Sequence, residues 1–341
     1  MSEIDDELQF HLDMLTRDLI AQGLDPEAAR AEALRRFGDI QAVRGAVART
    51  RAARWRSIVI LAVLGVAMVM QKLLWNFGFY RALYKAFPFY VPEMLKNVLE
   101  IGICLAALWA LGQRPLRRAL AIDRKLPRAV LFGVVCTLPM LVGFALVRSS
   151  SVKDALAVVY LAFWSPFIEE AVTRGFAFRG LRGLGWPLWR AAAACAMVTG
   201  LAHIEKGQSA AAILGLFAFT GLGGAMFCWL VERWDSLWFP WALHALMNFW
   251  WEVFNVAPTA IGGWYAFVLQ NGSVLLAILI THKLTRPRPR QSLELLADDR
   301  LGDRGELHVR RSLVDLAHFR VAPVLLHGVL LRVAVPAEEL D

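Results

Sequence analysis

An all-α polytopic bundle of about eight membrane spans, preceded by a small soluble helical module, is the fold that the sequence predicts. Three observations predict it. Apolar stretches recur between Ser57 and Thr281, close to the ~20 residues that a membrane helix needs. The 341-residue chain is 57% hydrophobic, with a mean hydropathy of +0.48, which excludes an ordinary soluble domain. Its arginines gather between the apolar stretches rather than within them.

Residues 1–50 come first and are polar. Ile4, Leu8, Leu12, Leu15 and Leu19 recur at helical spacing. Gly23 ends that helix, and Asp25-Pro26 supplies an N-cap and a proline at the first helical position of a second. The second helix runs through Ala28, Ala29, Ala33 and Leu34 to Phe37-Gly38, and a third starts at Asp39. Polar sequence at this end also argues against a cleaved signal peptide.

Eight spans are predicted next, at 57–75, 93–112, 128–148, 154–178, 187–204, 208–231, 237–256 and 261–281. Arg49, Arg51, Arg54 and Arg56 precede the first. Arg114, Arg117, Arg118, Arg124, Lys125 and Arg128 fill the second gap, and Lys283, Arg286, Arg288 and Arg290 follow the last. By the positive-inside rule both termini are cytoplasmic in an inner membrane protein, which agrees with an even number of spans. The net charge of +8 therefore reads as topology rather than as a nucleic-acid surface. Cys104, Cys136, Cys195 and Cys228 lie within apolar stretches without CxxC spacing, and read as packing thiols. Trp186, Trp189, Trp234, Trp238 and Trp241 stand near span ends, as in an interfacial aromatic belt. Residues 286–341 form a cytoplasmic tail, opened by Arg-Pro repeats, whose 305–336 segment is ambiguous between a short β-rich appendage and coil.

The fourth span carries Glu169-Glu170 within Phe167-Ile168-Glu169-Glu170-Ala171-Val172-Thr173-Arg174. A charge at mid-bilayer costs roughly 2.5–3.5 kcal/mol, so two within one turn point to use. On an α-helix Glu170 and Arg174 share a face and pair, whereas Glu169, rotated by about 100°, lacks such a partner and faces a wet cavity. His203 closes the fifth span. His244 and Asn248 share one face of the seventh and suit two jobs, metal binding or hydrogen bonding to a developing oxyanion. Counted from span ends, Glu169 and His244 fall in the cytoplasmic third. His203 falls about 24 Å along its helix, so that helix begins outside the bilayer or the 178–190 connection is re-entrant.

In this order, Glu-Glu-x-x-x-Arg, His and His-x-x-x-Asn on three spans resemble the CPBP family of intramembrane proteases, the CAAX prenyl protease type II and bacteriocin-processing enzymes. The resemblance covers about 150–285, leaving 57–148 as additional N-terminal spans. It implies an intramembrane endopeptidase acting on a membrane-associated protein or peptide. Glu169 would be the water-activating glutamate, with Glu170 and Arg174 completing the first motif. His203 would help position the water, and His244 and Asn248 would stabilise the oxyanion. The family often has phenylalanine where this chain has Thr199, a departure that bears on substrate-side packing. Its members are commonly named metalloproteases, although no HExxH occurs here. A zinc held by Glu169, His203 and His244 is chemically open, because three protein ligands plus water is a catalytic pattern. Residues 1–50 resemble the prefix domain of ABC-transporter permeases, which implies a cytoplasmic protein partner. The rival readings are a non-catalytic membrane scaffold, a transporter-associated permease-like subunit, and a metal or proton transporter.

Overall fold

The computed structural model describes residues 3–123, 125–152, 154–204, 209–257 and 262–285, and among these it is all-helical, without strands. The 286–341 tail, with its ambiguous segment, lies outside the described residues. The chain divides into two compact units between Trp55 and Arg56.

In the first unit, α1 (Glu3–Ala21) and α2 (Pro26–Phe37) pack together. Gly23 takes the turn at φ +95, and the Asp25 carboxylate accepts hydrogen bonds from the Glu27 and Ala28 amides, capping α2. Leu8, Leu12, Leu19, Ala29, Ala33, Phe37 and Val43 form a core of their own. The third helix, α3 (Ile40–Trp75), does not stop at residue 50. No proline interrupts its 36 residues, so it runs from the polar segment straight into the first apolar stretch.

The second unit continues with α4 (Gly78–Ala86), α5 (Tyr90–Ala110), α6 (Leu116–Ala119) and α7 (Leu126–Val147). After these come α8 (Ala155–Gly183), α9 (Leu188–Ala202), α10 (Ala210–Trp234), α11 (Trp238–Val253) and α12 (Gly263–Leu284). Each of the eight predicted stretches is helical. Five of them, α3, α7, α8, α10 and α12, are long and apolar enough to cross a membrane, and the protein is an integral membrane protein. The other three fall short for separate reasons. The α5 helix carries Glu93, Lys96 and Glu100, while α9 and α11 have only 15 and 16 residues. Large apolar side chains such as Leu146, Leu214, Leu222 and Leu275 point outward from these helices, as lipid contact requires.

Two close approaches bring the site-bearing helices together. A methyl group at Gly133 of α7 would lie 2.8 Å from the Ala242 carbonyl of α11, and one at Gly200 of α9 would lie 2.8 Å from the Phe217 carbonyl of α10. Small residues at such contacts are the usual device for packing helices in lipid.

Arginines tie one end of the bundle. Arg179 donates to the Ala119 carbonyl at 2.9 Å and pairs with Asp235 at 2.8 Å. Arg182 grips Glu232 in bidentate fashion and also reaches the Trp186 carbonyl at 2.6 Å. Trp186 donates to Ser57, and Arg233 donates to Thr285. The 184–187 connection is a tight turn, with Gly185 at φ +87 and the Trp186 amide bonded to the Leu181 carbonyl.

Candidate active site

The α8 helix is not a regular α-helix. Its turns at Tyr160–Trp164 and Ala171–Phe178 are π-helical, on either side of the α-helical Ser165–Glu170. A π-turn bonds i to i+5, and such turns occur frequently at functional sites. Widening the turn after Glu170 changes which residues meet. Arg174, five residues after Glu169 and four after Glu170, comes within ion-pair distance of both, its Nη1 lying 3.5 Å from Glu169 Oε1 and 3.4 Å from Glu170 Oε1. The expectation that Glu169 lacks a cationic partner is thus corrected, because it assumed α-helical rotation where the helix is wider.

The two carboxylates still differ in access. The Glu170 side chain is fully buried, while that of Glu169 is 29% exposed. Glu170 also holds His244 of α11, with His244 Nδ1 at 3.0 Å from Glu170 Oε1. An ionised carboxylate only accepts, so Nδ1 carries the proton of this bond. Neutral His244 therefore has a bare Nε2, and it donates to an oxyanion only when doubly protonated. Phe227 of α10 lies beside both groups, its ring centroid 5.5 Å from the Arg174 guanidinium carbon and 5.4 Å from the His244 ring. One turn after His244, Asn248 donates from Nδ2 to the Leu161 carbonyl at 3.2 Å, inside the first π-turn. The amide has a second N–H to offer.

His203 caps the end of α9 with its Nδ1 2.8 Å from the Thr199 carbonyl, which makes Nδ1–H the donor and leaves Nε2 with a lone pair.

Sequence reasoning missed the residues that hold Arg174. Thr173 Oγ1 accepts from Arg174 Nη1 at 2.6 Å and donates to the Glu169 carbonyl at 2.5 Å. Thr199 Oγ1 accepts from Arg174 Nη2 at 3.1 Å. Both threonines are buried. The i, i+4 spacing of Thr199 and His203 could have flagged the second, whereas nothing local flags the pairing of Thr199 with Arg174.

Among the described residues, Glu169, Glu170 and His244 form the one group whose ligand atoms lie within 4.8 Å of one another, as a metal site would need. The set has Glu170 where His203 was expected: His244 turns its Nδ1 to Glu170, while His203 turns its own Nδ1 to the Thr199 carbonyl and does not join the group. A resident dication fits this set poorly. The Arg174 guanidinium already lies within 3.5 Å of an oxygen of each carboxylate, and a second cation beside it would meet strong repulsion in a low-dielectric interior.

A buried carboxylate–guanidinium–imidazole cluster among membrane-spanning helices is the kind of feature that marks a candidate functional site in a membrane protein. Comparison with known families narrows the reading. Residues 151–250, which hold all six sequence-predicted site residues, match the family model described as Type II CAAX prenyl endopeptidase Rce1-like. No curated protein and no solved structure matches the chain.

Proposed function

We propose that the chain is an intramembrane endopeptidase, CAAX-protease-like, that hydrolyses a peptide bond of a membrane-associated protein or peptide. The single observation that carries this reading is the asymmetry of the carboxylates within the segment matched by the endopeptidase family. A partly open Glu169 stands against a fully buried Glu170 held by Arg174 and His244.

Glu169 takes the proton of a water that attacks the scissile carbonyl. The partial opening admits water, and the ion-pair distance to Arg174 leaves carboxylate lone pairs available to it. His203, with its Nε2 lone pair, orients the same water. The proton then reaches the leaving amine, the usual second half of general acid–base hydrolysis. The tetrahedral oxyanion is met by the second Asn248 N–H and by His244 Nε2–H once that imidazole is doubly protonated, a state that ionised Glu170 supports. No step passes through a metal.

The same reading places eight helices across an inner membrane with both termini cytoplasmic, the arginine-tied end facing the cytoplasm. The α9 and α11 helices, too short to span alone, reach across with the turns that flank them. Residues 1–50 then serve as a cytoplasmic module for a protein partner.

The test compares membranes holding the wild-type chain with membranes holding Glu169→Gln. Peptide products that appear with the former and vanish with the latter support the reading. Identical peptide populations would reject it.

A further inference from the structure

We propose that Thr199 is a positioning residue for the proteolytic reaction, holding Arg174 away from the proton-accepting lone pairs of Glu169 while fixing the tautomer of His203. This rests on the endopeptidase reading above and adds to it a residue outside the three motifs.

The argument starts from how Arg174 spends its N–H groups. The guanidinium is wholly buried, and its short hydrogen bonds go to hydroxyls, Thr173 Oγ1 at 2.6 Å and Thr199 Oγ1 at 3.1 Å. The carboxylates stand farther off, at 3.4 and 3.5 Å. Arg174 therefore acts on them chiefly through charge, and their lone pairs remain available for the water and for His244. A carboxylate gripped in a short bidentate fork would be a poorer proton acceptor.

A second, independent observation is the space made for this arrangement. A methyl group at Gly224 of α10 would lie 2.8 Å from Arg174 Nη2 and 3.0 Å from Thr199 Oγ1. The glycine hydrogen thus leaves room for both partners of the bond. The third is that the Thr199 carbonyl accepts from His203 Nδ1 at 2.8 Å. One residue consequently touches both halves of the water-activating apparatus, Arg174 through its side chain and His203 through its backbone.

When the Thr199 hydroxyl is removed, Nη2 loses its acceptor. The guanidinium is then free to shift toward the two carboxylates already within 3.5 Å of it, and contact with Glu169 occupies the lone pair that must receive the water's proton. Turnover falls while substrate binding is kept, because the lost hydroxyl faces the buried Arg174.

The experiment uses the full chain in phosphatidylcholine–phosphatidylglycerol liposomes, with one member of a fluorogenic membrane-peptide library that the wild type cleaves. Thr199→Val keeps the shape and removes the acceptor. It should lower kcat about tenfold or more, the effect of losing a hydrogen bond to a charged group, and leave KM within about twofold. Thr199→Ser should restore most of the turnover, and Gly224→Ala should resemble Thr199→Val. Full activity in Thr199→Val, a rise in KM with kcat intact, or a serine variant no better than valine would each overturn the proposal. Melting of Thr199→Val, Arg174→Gln and the double variant tests the tether without reference to turnover, and strict additivity would overturn it. A wild type that cleaves no library member would reject the endopeptidase reading and the catalytic role of Thr199 together, whereas an active wild type with an equally active valine variant rejects only this inference.

Discussion

Replacing Arg174 by alanine should destabilise the protein more than replacing Glu170, because the guanidinium serves two carboxylates and Glu170 has only a share of it. Coulomb's law at an effective dielectric of about 20 gives roughly 5 kcal/mol of attraction for each pair at the observed 3.4 and 3.5 Å. Losing both would exceed what the protein can sustain if the carboxylates stayed ionised. An unpaired carboxylate can instead take up a proton at neutral pH, at a cost of about 3.5 kcal/mol, which limits the damage at each. Arg174→Ala should therefore cost about 4 kcal/mol or more, at the upper part of the range for breaking a buried pair. Glu170→Ala leaves Arg174 paired with Glu169 and removes a desolvated group, so about 2–3 kcal/mol is expected. The double variant should be less unstable than the summed single losses, by about 2 kcal/mol. Reversible unfolding in mixed detergent micelles measures all three. Strict additivity, or a Glu170→Ala loss as large as that of Arg174→Ala, would refute the shared-guanidinium argument.

Other outcomes follow from the same geometry. Glu169→Gln should abolish cleavage while the purified variant melts like wild type, because the amide keeps the volume but accepts no proton; near-normal turnover would remove Glu169 from the base role. Chelation with 1,10-phenanthroline should leave activity intact, and Asn248→Ala should slow turnover by the roughly 2.7–4 kcal/mol that an oxyanion donor supplies. Stoichiometric zinc by elemental analysis, lost together with activity on chelation and restored with it, would overturn the metal-free mechanism. In the first unit, hydrogen bonds from Arg35 and then Arg36 hold the Glu32 carboxyl down at about 2. Because that folded value lies below the ordinary glutamate value of 4.5, the stabilisation is present above 4.5 and is lost as pH falls through about 2. Carbon-13 NMR of labelled protein should show Glu32 titrating near the lower value, and Arg35→Ala should raise it.

Much of this was legible because burial and breakers leave marks in the chain. Gly23, Asp25-Pro26 and Gly38 set the ends of the first two helices, and each of the eight apolar stretches is helical. The residues of Glu-Glu-x-x-x-Arg could be paired from spacing alone, since i, i+4 neighbours also meet on a widened turn. The π-turns were not legible. They arise where tertiary packing overrides the α-helical ladder, and Ala171–Phe178 contains neither proline nor a charge run to announce it. The bond from Thr199 to Arg174 crosses 25 positions of sequence, and no periodicity within either helix encodes it. The continuation of the third helix past residue 50 was not legible for a simpler cause, since a change in hydropathy does not end a helix that has no breaker.

The order in which the parts of the cluster leave the ribosome carries a consequence of its own. Glu169, Glu170 and Arg174 come first, on α8, and the Thr199 acceptor and His203 follow on α9. The glycine notch arrives with α10, and His244 and Asn248 only with α11. Until α10 and α11 have docked, the two glutamates have neither the imidazole nor the fitted recess that completes their surroundings. A site divided in this way is assembled only when the last of its helices docks, so its parts cannot act together while the chain is still being made.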